Sequence, residues 1–125
     1  IRRIPDVQVG FTITTDDERI AALFERRASP VGERIEVLRE FKAAGVPTFA
    51  MAGPLLPGNP ERLASLLAGA AARVLIDRMN YGPAVKAFYA SHGLLEALTD
   101  AFFETQASRL GKALRAQGIV VDQVF

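Results

Sequence analysis

Cysteine and tryptophan are absent from this chain, and histidine occurs once, at His92. Without a thiol the segment can supply no disulfide, no zinc–thiolate site and no iron–sulfur ligand, and one imidazole cannot build a metal site by itself. The lack of cysteine fits a reducing compartment, and a cytoplasmic protein is the expectation. No apolar run approaches the roughly 20 residues that span a bilayer, so no membrane partner is expected. An excess of one charge is lacking as well: 15 Lys and Arg stand against 14 Asp and Glu, and like charges form no block. Charge therefore does not point to bare duplex DNA as a partner. There is no GxGxxG, no phosphate-binding P-loop, no GxSxG and no cluster of metal ligands. The opening Ile-Arg-Arg-Ile-Pro holds neither a methionine nor a signal-peptide pattern and runs almost directly into a strand, so further sequence upstream is expected.

What is present is a core. Half of the 125 residues are hydrophobic, which is ample for one packed domain, and the length is too short for two. Residues 7–14 (VQVGFTIT) alternate and are rich in β-branched side chains, as a strand requires. Thr15 to Glu18 has the spacing of a capping box, and a helix is expected over residues 16–26, buried through Ile20, Leu23 and Phe24. Pro30 opens a second helix, with Val31, Ile35, Leu38 and Phe41 on its apolar stripe, Arg34 on its wet side, and Gly45 as its stop. Residues 46–51 form the next strand. Residues 53–58 (GPLLPG) form a loop, and Asn59 and Pro60 start a helix striped by Leu63, Leu66, Leu67 and Ala70. Residues 73–79 are a third strand, broken by Asn80-Tyr81-Gly82-Pro83. A short helix over 84–90, a turn at Ser91-His92-Gly93, one long helix over 94–117 and a last strand over 119–125 complete the chain. Ala97, Leu98, Ala101, Phe102 and Leu110 are the expected buried positions of the long helix.

Strands alternating with helices in the order β-α-α-β-α-β-α-α-β imply a parallel α/β sheet with right-handed crossovers. Periodicity leaves open whether that sheet is flat and open or the arc of a barrel. In either case ligands bind at the carboxyl ends of the strands. The first end carries Thr12, Thr14, Thr15 and Asp16, the second Gly53 and Pro54, and the third Asp77, Asn80 and Tyr81. Hydroxyls, an amide, a carboxylate and bare backbone suit a polar small molecule. They include no nucleophile–base pair. Each feature also has a local reading. Thr15 to Glu18 caps a helix, residues 53–58 turn the chain, Asn80 to Gly82 is a turn, Glu25 to Arg27 is a solvated helix end, and His92 is a surface turn residue.

Three stretches resemble a known family. They are VGFTITTDD, then FERRASPVGERIEVLREFKAAGVPT, then MAGPLLPG, spanning residues 7–58. Together they resemble radical S-adenosylmethionine proteins of the spore photoproduct lyase type. A less specific likeness runs through residues 72–81, and none is apparent beyond Pro83. The resemblance implies part of a (β/α)6 partial TIM-type barrel with parallel strands, ending in a long C-terminal helix. As a single domain, residues 7–82 would be barrel βα units and 83–125 a C-terminal helical extension. It implies S-adenosylmethionine and a 4Fe–4S cluster as cofactors. The Cys-x3-Cys-x2-Cys loop that holds the cluster in that family is absent here, which makes this chain the C-terminal half, with the N-terminal barrel half as its partner. The resemblance places Thr14, Thr15, Gly53, Pro54 and Asn80 on the cofactor, and Thr12, at the same strand end, is expected to bind it with them. The resemblance also makes Glu25, Arg27 and Arg34 a charged group behind them, with an Arg–carboxylate pair orienting the strand-end loop. DNA as a partner follows from the resemblance alone, since no basic, aromatic-interleaved surface follows Pro83.

The expected function is thus a cofactor-facing part of a radical S-adenosylmethionine enzyme, inactive by itself. A homodimer through an exposed sheet edge is a further expected association. Two alternatives stand beside it: a non-catalytic α/β binding or assembly module, and a piece of an aldolase-like barrel that binds a sugar phosphate.

Overall fold

The computed structural model describes residues 8–25, 27–53, 55–77 and 83–124. Its elements in chain order are β1 (Val9–Thr12), α1 (Glu18–Phe24), α2 (Val31–Ala43), β2 (Thr48–Ala52), α3 (Pro60–Leu67), β3 (Arg73–Asp77), α4 (Pro83–Ser91), a 3-10 turn (Leu95–Leu98), α5 (Asp100–Ala116) and β4 (Val120–Val124). The four strands are all parallel and stand in the order β1-β2-β3-β4. The chain is an α/β protein, and the segment after Pro83 returns a strand to the sheet as well as supplying helices.

Strand register sorts the side chains onto two faces. Val9 stands opposite Thr48, Phe11 opposite Ala50, Ala50 opposite Val74 and Val74 opposite Val121. These residues and their alternates Ala52 and Ile76 point to one side, because successive strand residues alternate. That side holds the core. Ile35 and Leu38 of α2, Leu63 and Leu67 of α3, and Leu110 and Leu114 of α5 close over it, all nearly or fully buried. The small Ala50 and Ala52 at the centre leave room for these large helix side chains.

The other face carries Gly10, Thr12, Phe49, Met51, Arg73, Leu75, Val120 and Asp122. None of the described helices is laid along it. Met51 is 41% exposed and Val120 57%. A Cβ on Gly10 would lie 2.3 Å from the Phe49 ring, so that ring rests across the neighbouring strand in the space a side chain would take. Arg73 and Asp122 form an ion pair on the same face.

The helix signals hold in part. Gly45 and Gly118 follow α2 and α5 with φ of +83° and +77°, the left-handed backbone that ends a helix and favours glycine. Asn59 caps α3 by accepting from the Arg62 N–H at 3.0 Å. Phe41, about 80° round α2 from Val31, is 40% exposed at the margin of its stripe.

The long helix expected over 94–117 is two elements. The 3-10 turn ends at Thr99, whose hydroxyl accepts from the Phe102 N–H at 3.1 Å and starts α5. This new start resets the helical phase, so the buried stripe is Phe103, Gln106, Ala107, Leu110, Gly111 and Leu114. Ala101 is exposed and Phe102 half-buried. No described helix is long and apolar enough to cross a membrane.

Arg109 of α5 clasps Glu61 of α3 through two hydrogen bonds, one of them 3.1 Å from Nε to Oε2. Arg109 donates to the Glu61 carboxylate and holds its pKa below the ordinary value. A depressed folded-state pKa stabilises the protein above the unfolded value, and the stabilisation is lost as pH falls through the folded one. Glu61→Gln should therefore lower the melting temperature near neutral pH, and the gap from the parent should close as thermal melts are repeated at increasingly acid pH. Separately, Phe103→Ala should cost about 3–5 kcal/mol in urea unfolding, as for a buried aromatic. Phe102→Ala should cost about 1 kcal/mol or less.

Candidate functional site

The carboxyl ends of the strands share one edge of the sheet, and the sequence after β1 builds most of what stands there. Ile13 continues the pairing past Thr12, its N–H donating to the Met51 carbonyl at 2.9 Å, and its side chain is fully buried. Thr14 and Thr15 follow with 2% and 1% exposure. Such polar residues can be buried only if their groups find partners or the loop around them is closed.

The closure comes from the loop after β2. Leu56 N–H donates to the Thr14 carbonyl at 3.1 Å, and the Thr15 hydroxyl donates to the Pro57 carbonyl at 2.6 Å. Asn59 N–H donates to Asp16 Oδ1 at 2.7 Å, and Arg62 stands 3.7 Å from Asp16 Oδ2. Gln106 of α5, buried, donates to the Gly58 carbonyl at 3.1 Å. Gly58 is required here by packing, since a Cβ would lie 2.5 Å from both Thr15 Oγ1 and Asp16 Oδ1. The two strand-end loops are thus one knot, fastened to α5.

Helix capping also departs from the sequence pattern. The N-cap of α1 is Asp17, which accepts from Arg19 N–H at 2.9 Å and Ile20 N–H at 3.2 Å. Thr15 instead accepts from Asp17 N–H at 3.1 Å while bonded to the other loop. Glu18 therefore does not complete a capping box with Thr15. It reaches α2, where its two carboxylate oxygens accept from Val31 N–H at 2.8 Å and Gly32 N–H at 3.1 Å. Pro30, the N-cap of α2, has no side chain to offer, and Glu18 supplies the missing acceptor and a charge suited to a helix N-terminus.

Arg34 is 5% exposed and does not lie on the wet side of α2. Its Nη2 donates to Glu25 Oε1 at 2.9 Å, and its Nη1 to the Thr12 carbonyl. The last carbonyl of β1 is thereby held by a guanidinium whose charge Glu25 balances. The burial of Arg34 is tolerable because its charge is matched and both its Nη atoms donate; among the described residues its Nε has no partner.

Among the residues expected at the site, Thr12 is exposed at the end of β1 on the bare face. Thr14 borders a void of about 10 Å³ together with Leu63, Gln106 and Leu110, and among the described residues its buried hydroxyl has no hydrogen-bond partner. The Thr15 hydroxyl is taken by Pro57. Gly53 lies against β3: a Cβ there would be 2.8 Å from the Asp77 carbonyl oxygen. Arg27 is exposed and outside the Arg34–Glu25 pair. Pro54 and Asn80 lie outside the described residues. Gln106 and Glu18, which fasten the loop and cap α2, had no motif to mark those roles.

Among the described residues the edge offers the exposed Thr12, backbone and a sealed loop. Among the described residues no three His, Cys, Asp or Glu side chains come together. His92 lies at the end of α4, its Nδ1 2.9 Å from the Phe88 carbonyl, as a surface turn residue. Family models, curated proteins and solved structures were all compared with the chain, and none matches it.

Arg34→Met should destabilise the chain by about 3 kcal/mol in urea unfolding, because it leaves Glu25 and the Thr12 carbonyl unmatched in a buried setting. Arg39→Met, on the exposed side of the same helix, should stay within about 0.5 kcal/mol of the parent.

Proposed function

We propose that this chain is an arc of a (β/α)6 partial barrel and the C-terminal portion of a radical S-adenosylmethionine enzyme of the spore photoproduct lyase type. The observation that carries the barrel reading is the strand order. Four parallel strands stand in chain order, and α2, α3 and α5 cover one face of them. A doubly wound sheet reverses its strand order at a switch point, which divides its helices between two faces. With right-handed crossovers, an unreversed order keeps every covering helix on one side, as a barrel does. On this reading the face bearing Phe49, Met51, Leu75 and Val120 turns into the barrel, and the outer edges of β1 and β4 pair with further strands.

The cofactor part of the proposal rests on the likeness of residues 7–58, and the Arg34–Glu25 pair behind the end of β1 supports it. The two implied groups fit differently. A 4Fe–4S cluster does not fit this chain, which has no cysteine, and its ligands belong to another part of the protein. S-adenosylmethionine fits in part. Thr12 and the backbone beside Gly53 would hold it, on the ribose, adenine or amino-acid portions, and would orient it. Thr14 and Thr15 are sealed in the loop knot and supply shape. Bound there, S-adenosylmethionine would be the radical source for the parent enzyme. The same sealing favours the second reading, a binding or assembly module without catalysis.

The product of the whole reading frame, reconstituted with iron and sulfide without oxygen and reduced with dithionite, should release 5′-deoxyadenosine from S-adenosylmethionine. The 125-residue chain alone should release none. A reading frame with no Cys-x3-Cys-x2-Cys upstream contradicts the enzyme reading and leaves the binding module.

A further inference from the structure

The pairing of Arg34 with Glu25 leaves Arg27 over. Arg27 sits on the turn closed by Ala28 N–H donating to the Glu25 carbonyl at 3.0 Å, and among the described residues it has no ion-pair partner. Next to it α1 and α4 meet through aromatic rings. Phe24 lies edge-on to Phe88, with centroids 5.2 Å apart and planes at 75°, and tilted against Tyr89 at 4.7 Å. These rings do not fill the space between the helices. A groove of about 650 Å³ remains, walled by Leu23, Phe24, Val85, Phe88 and Tyr89, with Arg27 on it.

Three properties of the groove select a ligand. It is shallow and open to solvent, so it suits a small flat ring lying on it and not an enclosed ligand. Its walls are aromatic and aliphatic, and rings already meeting edge-on and tilted offer a further ring the same favoured geometry. Its charge is positive: Arg34 cancels Glu25, and the remaining described lining residues other than Arg27 are uncharged. The groove also neighbours the carboxyl end of β1, since Glu25 on its wall pairs with the Arg34 that holds the Thr12 carbonyl. We propose that this groove binds a small planar aromatic anion, its ring against Phe24 and Phe88 and its carboxylate on the Arg27 guanidinium. This site is separate from the strand-end loop and does not depend on the S-adenosylmethionine reading.

The test is titration of the 125-residue chain with indole-3-acetate, tryptamine and decanoate, followed by calorimetry and by amide chemical shifts. Indole-3-acetate should bind saturably and shift the amides of Leu23, Phe24, Val85 and Phe88. Tryptamine, with the same ring and the opposite charge, should bind at least about tenfold more weakly, the factor that one charge-assisted hydrogen bond supplies. Arg27→Gln, at an exposed position, should lower indole-3-acetate affinity about tenfold and leave the circular dichroism and melt unchanged. Phe88→Leu, which keeps most of the bulk, should weaken both indoles alike. Absence of saturable binding by all three compounds overturns the proposal. So does equal affinity for tryptamine, a preference for decanoate, or an Arg27→Gln variant that binds as the parent does.

Discussion

A sheet of parallel strands is stable in water when both of its faces are covered, because each face carries a continuous apolar pattern. The four strands here meet that demand on one side. Ala50, Ala52, Val74 and Ile76 are fully buried under α2, α3 and α5, while Met51 and Val120 on the reverse stand about half in solvent. Parallel strands also cannot be joined by tight turns, so every connection is a helical crossover. With strands in simple order, each crossover falls on the same side as the last. The bare face is thus a consequence of the winding, and the barrel reading turns on what that face meets.

The edge itself is held by charge and backbone more than by apolar packing. Arg34 fastens the last carbonyl of β1 to α2, and Glu25 matches its charge. Glu18 serves α2 from the neighbouring helix because Pro30 cannot cap it. Thr15, Asp16 and Gln106 then draw the loop after β2 onto the loop after β1. Each bond is modest in net worth, about 1 kcal/mol. Breaking one of the part-buried bonds, such as Thr15 to Pro57 or Gln106 to Gly58, leaves a poorly solvated partner unmatched, which couples the two loops. A strand end so fixed presents its backbone in one geometry, which is what a ligand site at that edge needs.

The parallel α/β class and the elements' order were legible because apolar period changes from two to nearly four along the chain, with Gly45, Asn59 and Gly118 as punctuation. Local ambiguity caused the misplacements. Thr15 has the capping-box spacing, but Pro57 claims its hydroxyl from 42 residues away, and Asp17 caps α1 in its place. Thr99 could be passed over as one more helix residue, yet its hydroxyl starts α5 and moves the stripe from Phe102 to Phe103. Arg34 reads as solvent-facing among its charged neighbours, and only the end of β1 and Glu25 together explain its burial. At the candidate site Thr12, Thr14 and Gly53 were legible as strand-end residues. Which of them face outward was not, because that depends on the closure of two loops distant in sequence.

If the bare face belongs inside a larger barrel, as proposed, Met51 reports on it directly. Its thioether lies at the centre of that face and is 41% exposed. The measurement is the rate of Met51 oxidation by dilute hydrogen peroxide, read by peptide mass, in the 125-residue chain and in the product of the whole reading frame. Rapid oxidation is expected in the first and strong protection in the second. Equally rapid oxidation in both would contradict the barrel reading.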